Sequence, residues 1–216
     1  MGEIVTILTP ECISQEASTL GLNLSESQSE SLATFGKLLI KWNRVYNLTS
    51  ITSEKDVLRL HILDSLSFVA AIKEKQLQNV LDVGSGGGLP AIPLAILRPE
   101  TKVTMIDAVQ KKTVFLQQVI LQLGLKNANA IHIRIEDFKE ENFDAVTCRA
   151  FATVGKTISL TKRFLNSDGR WLLMKGKVPN EELSELPEDV KIAEIRKLCV
   201  PGTDLERCLI EIEQYK

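Results

Sequence analysis

The chain has 216 residues, of which 44% are hydrophobic and 25% charged, and its formal net charge is -2. That length suits one large domain, or one domain with an extension; the near-neutral charge excludes a globally basic nucleic-acid binder but leaves room for a local patch. No apolar run approaches the about 20 residues of a membrane span and no secretory leader is visible, while Cys12, Cys148, Cys199 and Cys208 lack CxxC spacing and only His61 and His132 accompany them, so reduced thiols, no metal site and a cytoplasmic setting are expected.

Residues 1–24 are mixed, with a turn at Gly21-Leu-Asn-Leu24. Ser25 and Gln28 have the spacing of a capping box. Leu32, Phe35, Leu39, Trp42 and Tyr46 then recur at helical steps, so a helix is predicted to end near Asn47. Ser53 and Asp56 can cap a second helix with Leu58, Ile62, Leu66 and Val69 on one stripe. The first third of the chain, residues 1–78, is therefore read as a helical extension packed on a core of residues 79–216. The core alternates: strands at Val80–Val83, Lys102–Ile106, Ala130–Arg134, Asp144–Cys148 and Arg170–Lys175, with helices at Ala91–Leu97, Lys111–Leu123 and Val154–Leu165. Asn166-Ser-Asp-Gly169 reads as the turn closing the last helix. Lys191–Cys199 and Leu209–Ile212, around Pro201-Gly-Thr-Asp204, read as an antiparallel hairpin. The fold class is α/β: a mostly parallel, doubly wound, Rossmann-like sheet with a C-terminal hairpin.

The most informative stretch is Asn79–Leu94, NVLDVGSGGGLPAIPL. A strand, a glycine-rich turn and a helix start follow one another, and the unpaired N–H groups at such a helix start face whatever ligand sits there. A dinucleotide G-x-G-x-x-G would need glycine at position 89, which is Leu89. Instead Asp82 stands two residues before Gly84. A carboxylate at the strand's end suits a cationic ligand better than a pyrophosphate, and S-adenosylmethionine carries both a sulfonium and an α-ammonium. In doubly wound sheets the ligand lies at the carboxyl ends of the strands, which selects Asp82–Leu89, Asp107, Ile135–Glu136 and Arg149 as the rim. Asp107 can accept both hydroxyls of a ribose, or cap the next helix. Glu136 follows Ile135, where an adenine could meet apolar and polar groups together, although a plain surface acid reads the same way.

Other residues have two readings each. Cys148 could attack a pyrimidine, but a cysteine inside a strand is usually a small buried apolar residue. His61 could carry a proton, or could pair with Asp64, three residues on, to fix the helical roof. Trp42 and Tyr46 could stack a base; Trp42 is in phase with the core residue Leu39. Lys175-Gly-Lys177, past the fifth strand, lies on the rim and could meet phosphate, whereas most of the other basic residues are simply solvated.

Taken together, Lys41-Trp-Asn-Arg-Val-Tyr46-Asn47-Leu-Thr-Ser50, His61-Ile-Leu-Asp64-Ser65, Asp82-Val-Gly-Ser-Gly-Gly-Gly-Leu89-Pro, Cys148-Arg149-Ala-Phe151-Ala and Met174-Lys175-Gly176 resemble the RsmG (GidB) family of bacterial small-subunit rRNA guanine-N7 methyltransferases, in order and over nearly the whole chain. Gly87 stands where many members have Pro or Ala, and Cys148 where Ser is common. The resemblance implies a class I methyltransferase with a helical N-terminal extension, S-adenosyl-L-methionine as cofactor, and 16S rRNA or the small ribosomal subunit as partner. A monomer and no membrane are expected. The cofactor set expected is Asp82, Gly84, Ser85, Gly86, Gly88, Leu89, Asp107, Ala108, Ile135, Glu136 and Arg149; Arg149, Lys175 and Asn47 are expected on the substrate side. Guanine N7 has a free lone pair, so no general base is required and positioning carries the reaction. Competing readings are a small-molecule methyltransferase, a non-catalytic adenosylmethionine-binding assembly factor, and a nicotinamide dehydrogenase, the last opposed by Leu89.

Overall fold

The computed structural model describes residues 6–215; residues 1–5 of the expected extension and residue 216 lie outside the described residues. Thr9 accepts a hydrogen bond from the Cys12 N–H and opens α1, Pro10–Ser18, with proline in its first turn. This helix falls in the segment expected to be mixed; its single turn of polar cap followed by two buried residues, Ile13 and Ala17, gives little periodicity to read. The capping box at Ser25 and Gln28 is formed in full, and α2 runs Glu26–Tyr46 to Asn47, whose left-handed backbone (φ 50°) ends it. Gln28 also reaches the carbonyls of Ile96 and Leu97, tying α2 to the core.

The second predicted helix is three segments in one rod: α3 (Glu54–Val57), a π-helical segment (Leu58–Leu63) and α4 (Asp64–Ala71). Leu58, Ile62, Leu66 and Val69 are all buried. After β1 (Asn79–Val83) the chain alternates through α5 (Ala91–Leu97), β2 (Lys102–Asp107), α6 (Gln110–Leu123), β3 (Ala128–His132), β4 (Phe143–Arg149) and α7 (Val154–Thr161). A single 3-10 turn, Lys162–Phe164, then leads into β5 (Leu165–Lys175), and α8 (Asn180–Ser184), β6 (Val190–Leu198) and β7 (Arg207–Gln214) complete the fold. The sheet order is β3-β2-β1-β4-β5-β7-β6; β7 is antiparallel to both neighbours and the remaining pairs are parallel. This is a mostly parallel α/β sheet with a C-terminal hairpin.

Two expected boundaries move. Asn166–Gly169 does not close a helix as a free turn; it lies inside β5, whose pairing jumps from Phe143–Leu165 to Ala145–Arg170, so the turn residues are absorbed as an irregularity. The third strand sits two residues earlier than predicted, because Ala128–His132 is the stretch in register with Val103–Asp107.

Alternation along the strands splits the core in two. Val80, Met105, Leu172 and Met174 pack under α1–α6, while Leu81, Val83, Ile106, Val146, Trp171 and Leu173 pack on the other face with Phe138, Val154 and Phe164. The Trp171 indole donates to the Thr161 hydroxyl at 2.7 Å, so its one polar group is satisfied. Asp82 shares the face of Val80 and is therefore covered by helices. Among the described residues no helix is long and apolar enough to cross a membrane.

Candidate active site

The glycine turn is built from backbone. Gly84 and Ser85 N–H groups both donate to the Ile106 carbonyl, Gly88 N–H donates to the Ser85 carbonyl, and the Ser85 hydroxyl donates to the Asp82 carbonyl. Two positions need glycine outright. At Gly84 (φ +67°) a Cβ would lie 2.6 Å from the Phe151 ring, and at Gly88 (φ +81°) it would lie 2.7 Å from Ile92 and from Leu116. Gly88→Ala should therefore lower stability by about 2–4 kcal/mol, combining left-handed strain with overpacking. Chemical denaturation measures it; an unchanged midpoint would show that the turn can relax.

Beneath this turn Asp82 is fully buried, and among the described residues neither of its carboxylate oxygens has a hydrogen-bond partner. Burial pushes its carboxyl up to about 7. A buried polar group left unpaired is costly, so this is a place where a positive ligand group would be welcome. Asp107 is 6% exposed; its carboxylate accepts from Gly86 N–H at 2.9 Å and Val109 N–H at 2.8 Å. It thus joins the turn to the start of α6 and takes part of the helix-start role weighed above.

Gly84, Asp107, Ala108, Ile135 and Glu136 come together around a cavity of about 310 Å³ that Phe151, Ala152 and Lys156 also line. Arg163, which the sequence left among solvated residues, donates to the carbonyls of Ile135 and Glu136 and fixes that wall. Asp82, Ser85, Gly86, Gly88 and Leu89 form the inner side of the turn rather than the cavity surface.

A second cavity, about 520 Å³, opens at the ends of β4 and β5. Arg149, Ala150, Met174, Lys175 and Gly176 line it with Leu60, His61 and Asp64 of the helical rod, the loop Thr49–Ile51, and Leu205 and Arg207. Its organiser is Asp64, fully buried, which accepts from Arg149 Nη1 at 2.9 Å and from Arg207 Nε at 3.0 Å. Leu60 lies in the π-helical segment, where the i→i+5 spacing changes which carbonyls close the ladder; its carbonyl accepts from Arg149 Nη1 at 3.1 Å. Lys175 lines the cavity while its ammonium donates to the Ala152 carbonyl and pairs with Glu182. Arg149 lies in this cavity with Lys175 and is not among the residues lining the smaller one.

Asn47 lines neither cavity. It ends α2 and is exposed. The organiser of the loop is Asn43 instead, buried, accepting from Thr49 N–H at 2.8 Å and donating to the Ile51 carbonyl. His61 does not pair with Asp64. Its Nε2 accepts from the Thr49 hydroxyl and its Nδ1 donates to the Leu60 carbonyl. Burial, with the nearby Arg149 charge, lowers its pKa to about 4, so at neutral pH it is an uncharged pillar between loop and rod. Cys148 is buried and its thiol is pushed up to about 12, first by burial and then by the Asp82 charge, which removes it as a nucleophile. The segment between the cavities, Arg149–Phe151, holds Ala150 at φ +55°, a non-glycine residue in the left-handed region.

Asp64, Arg207, Thr49 and Asn43 were not assigned these roles by the sequence. Asp64 was visible as a polar residue beside His61. Arg207 carried no local signal, because only the return of β7 next to β5 brings it to the cavity.

A family model described as rRNA small subunit methyltransferase G matches residues 28–210. A curated protein of that name from Laribacter hongkongensis is 45% identical over 194 residues, 89% of this chain and 92% of its own length. Another of that name, from Chromobacterium violaceum, is 42% identical over 209 residues, 96% and 99% of the two chains. Among solved structures, a SAM-dependent methyltransferase from Thiobacillus denitrificans, in complex with S-adenosyl-L-homocysteine, is similar with a TM-score of 0.57 at 16% identity, covering 80% of this chain and 98% of that one. A SAM-dependent O-methyltransferase from Thermotoga maritima has a TM-score of 0.54 at 18% identity, covering 82% and 72%. At those identities the likeness concerns the fold.

Proposed function

The chain belongs to the rRNA small subunit methyltransferase G family, and on that premise we propose that it methylates N7 of one guanine in the decoding region of 16S rRNA. S-adenosylmethionine as donor and small-subunit ribosomal RNA as acceptor come with the family. The observation that carries the residue assignment is the pair of cavities at the carboxyl ends of β1, β2, β4 and β5, divided by Arg149–Phe151.

The residues of the smaller cavity fit the cofactor. Behind the turn, and not on the cavity surface, Asp82 offers a buried carboxylate, unpartnered among the described residues, whose charge favours a cationic group at the turn, and the close packing over Gly84 and Gly88 leaves backbone where side chains would stand. Gly84 to Leu89, with Ser85, Gly86 and Gly88, shape the turn against it; Asp107 and Ala108 border the ribose side, and Ile135 and Glu136 the adenine side. When bound, S-adenosylmethionine supplies an electrophilic sulfonium methyl. The larger cavity is assigned to the guanosine, with Arg149, held by Asp64, and Lys175 at its wall. The helical extension, described from residue 6 to 78, roofs it through Thr49–Ile51, Leu60, His61 and Asp64. Lys191, Arg196 and Lys197 along the edge strand β6 disfavour pairing with a second copy, in keeping with a monomer, and ribosomal RNA as partner suits a cytoplasmic location.

Guanine N7 attacks with its own lone pair, so no side chain needs to remove a proton. The neutral, hydrogen-bonded His61 fits that chemistry. At saturating cofactor the turnover rate should be flat between about pH 6 and 9. A limb in that range which His61→Gln abolishes would restore His61 as an acid or base.

The direct test incubates the protein with labelled S-adenosylmethionine and 16S rRNA, or small subunits, lacking the modification, and identifies the labelled nucleoside by mass spectrometry. Label in 7-methylguanosine at one position is expected. Label in any other nucleoside overturns the N7 assignment.

A further inference from the structure

One face of the molecule carries unbalanced positive charge beside both cavities. From Gly36 to Tyr46, α2 contributes Lys37, Lys41 and Arg44, and Gln110–Leu123, α6, contributes Lys111 and Lys112. Neither stretch contains an acid, in a chain whose formal charge is -2. The two stretches lie side by side, with Trp42 and Phe115 rings 5.7 Å apart. Lys41, Arg44 and Lys111 are exposed and, among the described residues, have no acid within ion-pair distance, unlike Lys75, Arg170 and Lys191 elsewhere. Tyr46, 40% exposed, stacks on Trp42 at 5.1 Å, and Val45 is 71% exposed next to it.

Position makes this face more than a solvated one. The end of α2 runs directly into Thr49–Ile51, on the rim of the larger cavity, and α6 begins two residues after Ala108, on the rim of the smaller. The Leu39 side chain lies 3.3 Å from where a Gly87 Cβ would stand, so α2 rests on the glycine turn itself. Point charges at the start of one helix and the end of another, with an exposed aromatic ring between, are what a flexible phosphodiester strand needs: cations track the backbone and the ring takes an unpaired base.

We propose that the α2–α6 face grips the phosphodiester backbone of the RNA through Lys41, Arg44 and Lys111, with Tyr46 stacking on an unpaired base, and leads the strand to the larger cavity. This rests on the reading of the protein as a ribosomal RNA methyltransferase.

The test compares the parent, a Lys41→Gln/Arg44→Gln/Lys111→Gln variant and a control variant, Lys73→Gln/Lys139→Gln/Lys197→Gln, all at exposed positions. Binding of fluorescently labelled 16S rRNA made by transcription is followed from about 50 to 200 mM salt, since each phosphate contact adds about 0.7–0.9 to the slope of log affinity against log salt. The face variant should lose about 2–3 from that slope and weaken binding about tenfold or more, with S-adenosylmethionine affinity and melting temperature unchanged. Tyr46→Ala should weaken binding without altering the slope. An unchanged slope in the face variant, or an equal loss in the control, overturns the proposal. So does a loss confined to assembled subunits with naked RNA bound normally, which would point to a protein partner. A parent that methylates no ribosomal RNA sinks the underlying reading instead, a result the parent assay gives on its own.

Discussion

Asp82→Asn should weaken S-adenosylmethionine binding by about ten- to a hundredfold at pH 8 and, in the same protein without ligand, raise the melting temperature. Both effects have one cause. Asp82 is fully buried with both oxygens unpartnered, and its carboxyl is raised from 3.8 to about 7 by burial. A folded-state value above the unfolded one means that the proton-linked stability is complete below about pH 4 and lost as pH rises through about 7. The gap corresponds to ~4 kcal/mol of penalty at pH 8, as an order of magnitude. Asparagine keeps the shape and removes the charge, so the ligand-free variant should gain stability at pH 8 and little at pH 4. A cationic ligand group beside the carboxylate reverses the balance. Cofactor affinity of the parent should therefore climb with pH through about 7 and level off above it, while that of the variant stays flat. Calorimetric titration over this range decides: parallel profiles for parent and variant would mean that Asp82 does not face the cofactor's charge.

The second large effect concerns Asp64. Its carboxylate is the shared partner of Arg149 and Arg207 at 2.9 and 3.0 Å, with no exposure of its own. The two guanidiniums are each about a quarter exposed, so water screens them only in part. Asp64→Asn keeps the volume but leaves two like charges converging on a neutral amide. Breaking a buried pair in this way costs about 3–5 kcal/mol, and solvent at the arginines brings the expected loss here to about 2–3 kcal/mol. Methyl transfer should fall by about a hundredfold or more, because Arg149 is released from the wall of the larger cavity. Affinity for S-adenosylmethionine should stay within about threefold, since the smaller cavity is untouched. The split between intact cofactor binding and lost turnover separates a positioning role from simple unfolding. If turnover in the folded variant remains near that of the parent, Asp64 is structural only.

Much of the core was legible because strict local rules governed it. The capping box at Ser25 and Gln28 and the left-handed stop at Asn47 are set by neighbours three or four residues away, and they stand where the spacing put them. The β1 turn was equally readable, since four glycines between Gly84 and Gly88 leave few backbone choices. What escaped depends on distant parts of the chain. Asn166–Gly169 keeps its turn chemistry, the Asp168 N–H donating to Asn166 Oδ1, yet it lies inside β5 because Leu165 before it and Arg170 after it both pair with β4. His61 and Asp64 share a helical face in an ideal helix, which offered a pair as one of the two readings of His61. The π-helical segment and the approach of Arg149 and Arg207 give them separate partners. The larger cavity joins Thr49 to Arg207 and the smaller one Val83 to Leu160, so each is a meeting place of segments distant in the chain and no single stretch announces it.

The π-helical segment has a further consequence, in the counting of residues. A residue in an α-helix turns the chain by about 100°, and a π-bulge accommodates a surplus residue without breaking the rod. Leu58–Leu63 spends that surplus between the stripe anchored by α3 and the buried face of α4. Were the same residues to wind as an ordinary helix, every side chain beyond would swing about 100° around the axis. Asp64 would leave its two arginines and the apolar face of α4 would leave the core, although no contacting residue had been changed. The alignment of roof and sheet is thus stored in one wide turn, which makes this short stretch tolerant of losing its surplus residue and intolerant of rewinding with that residue in place.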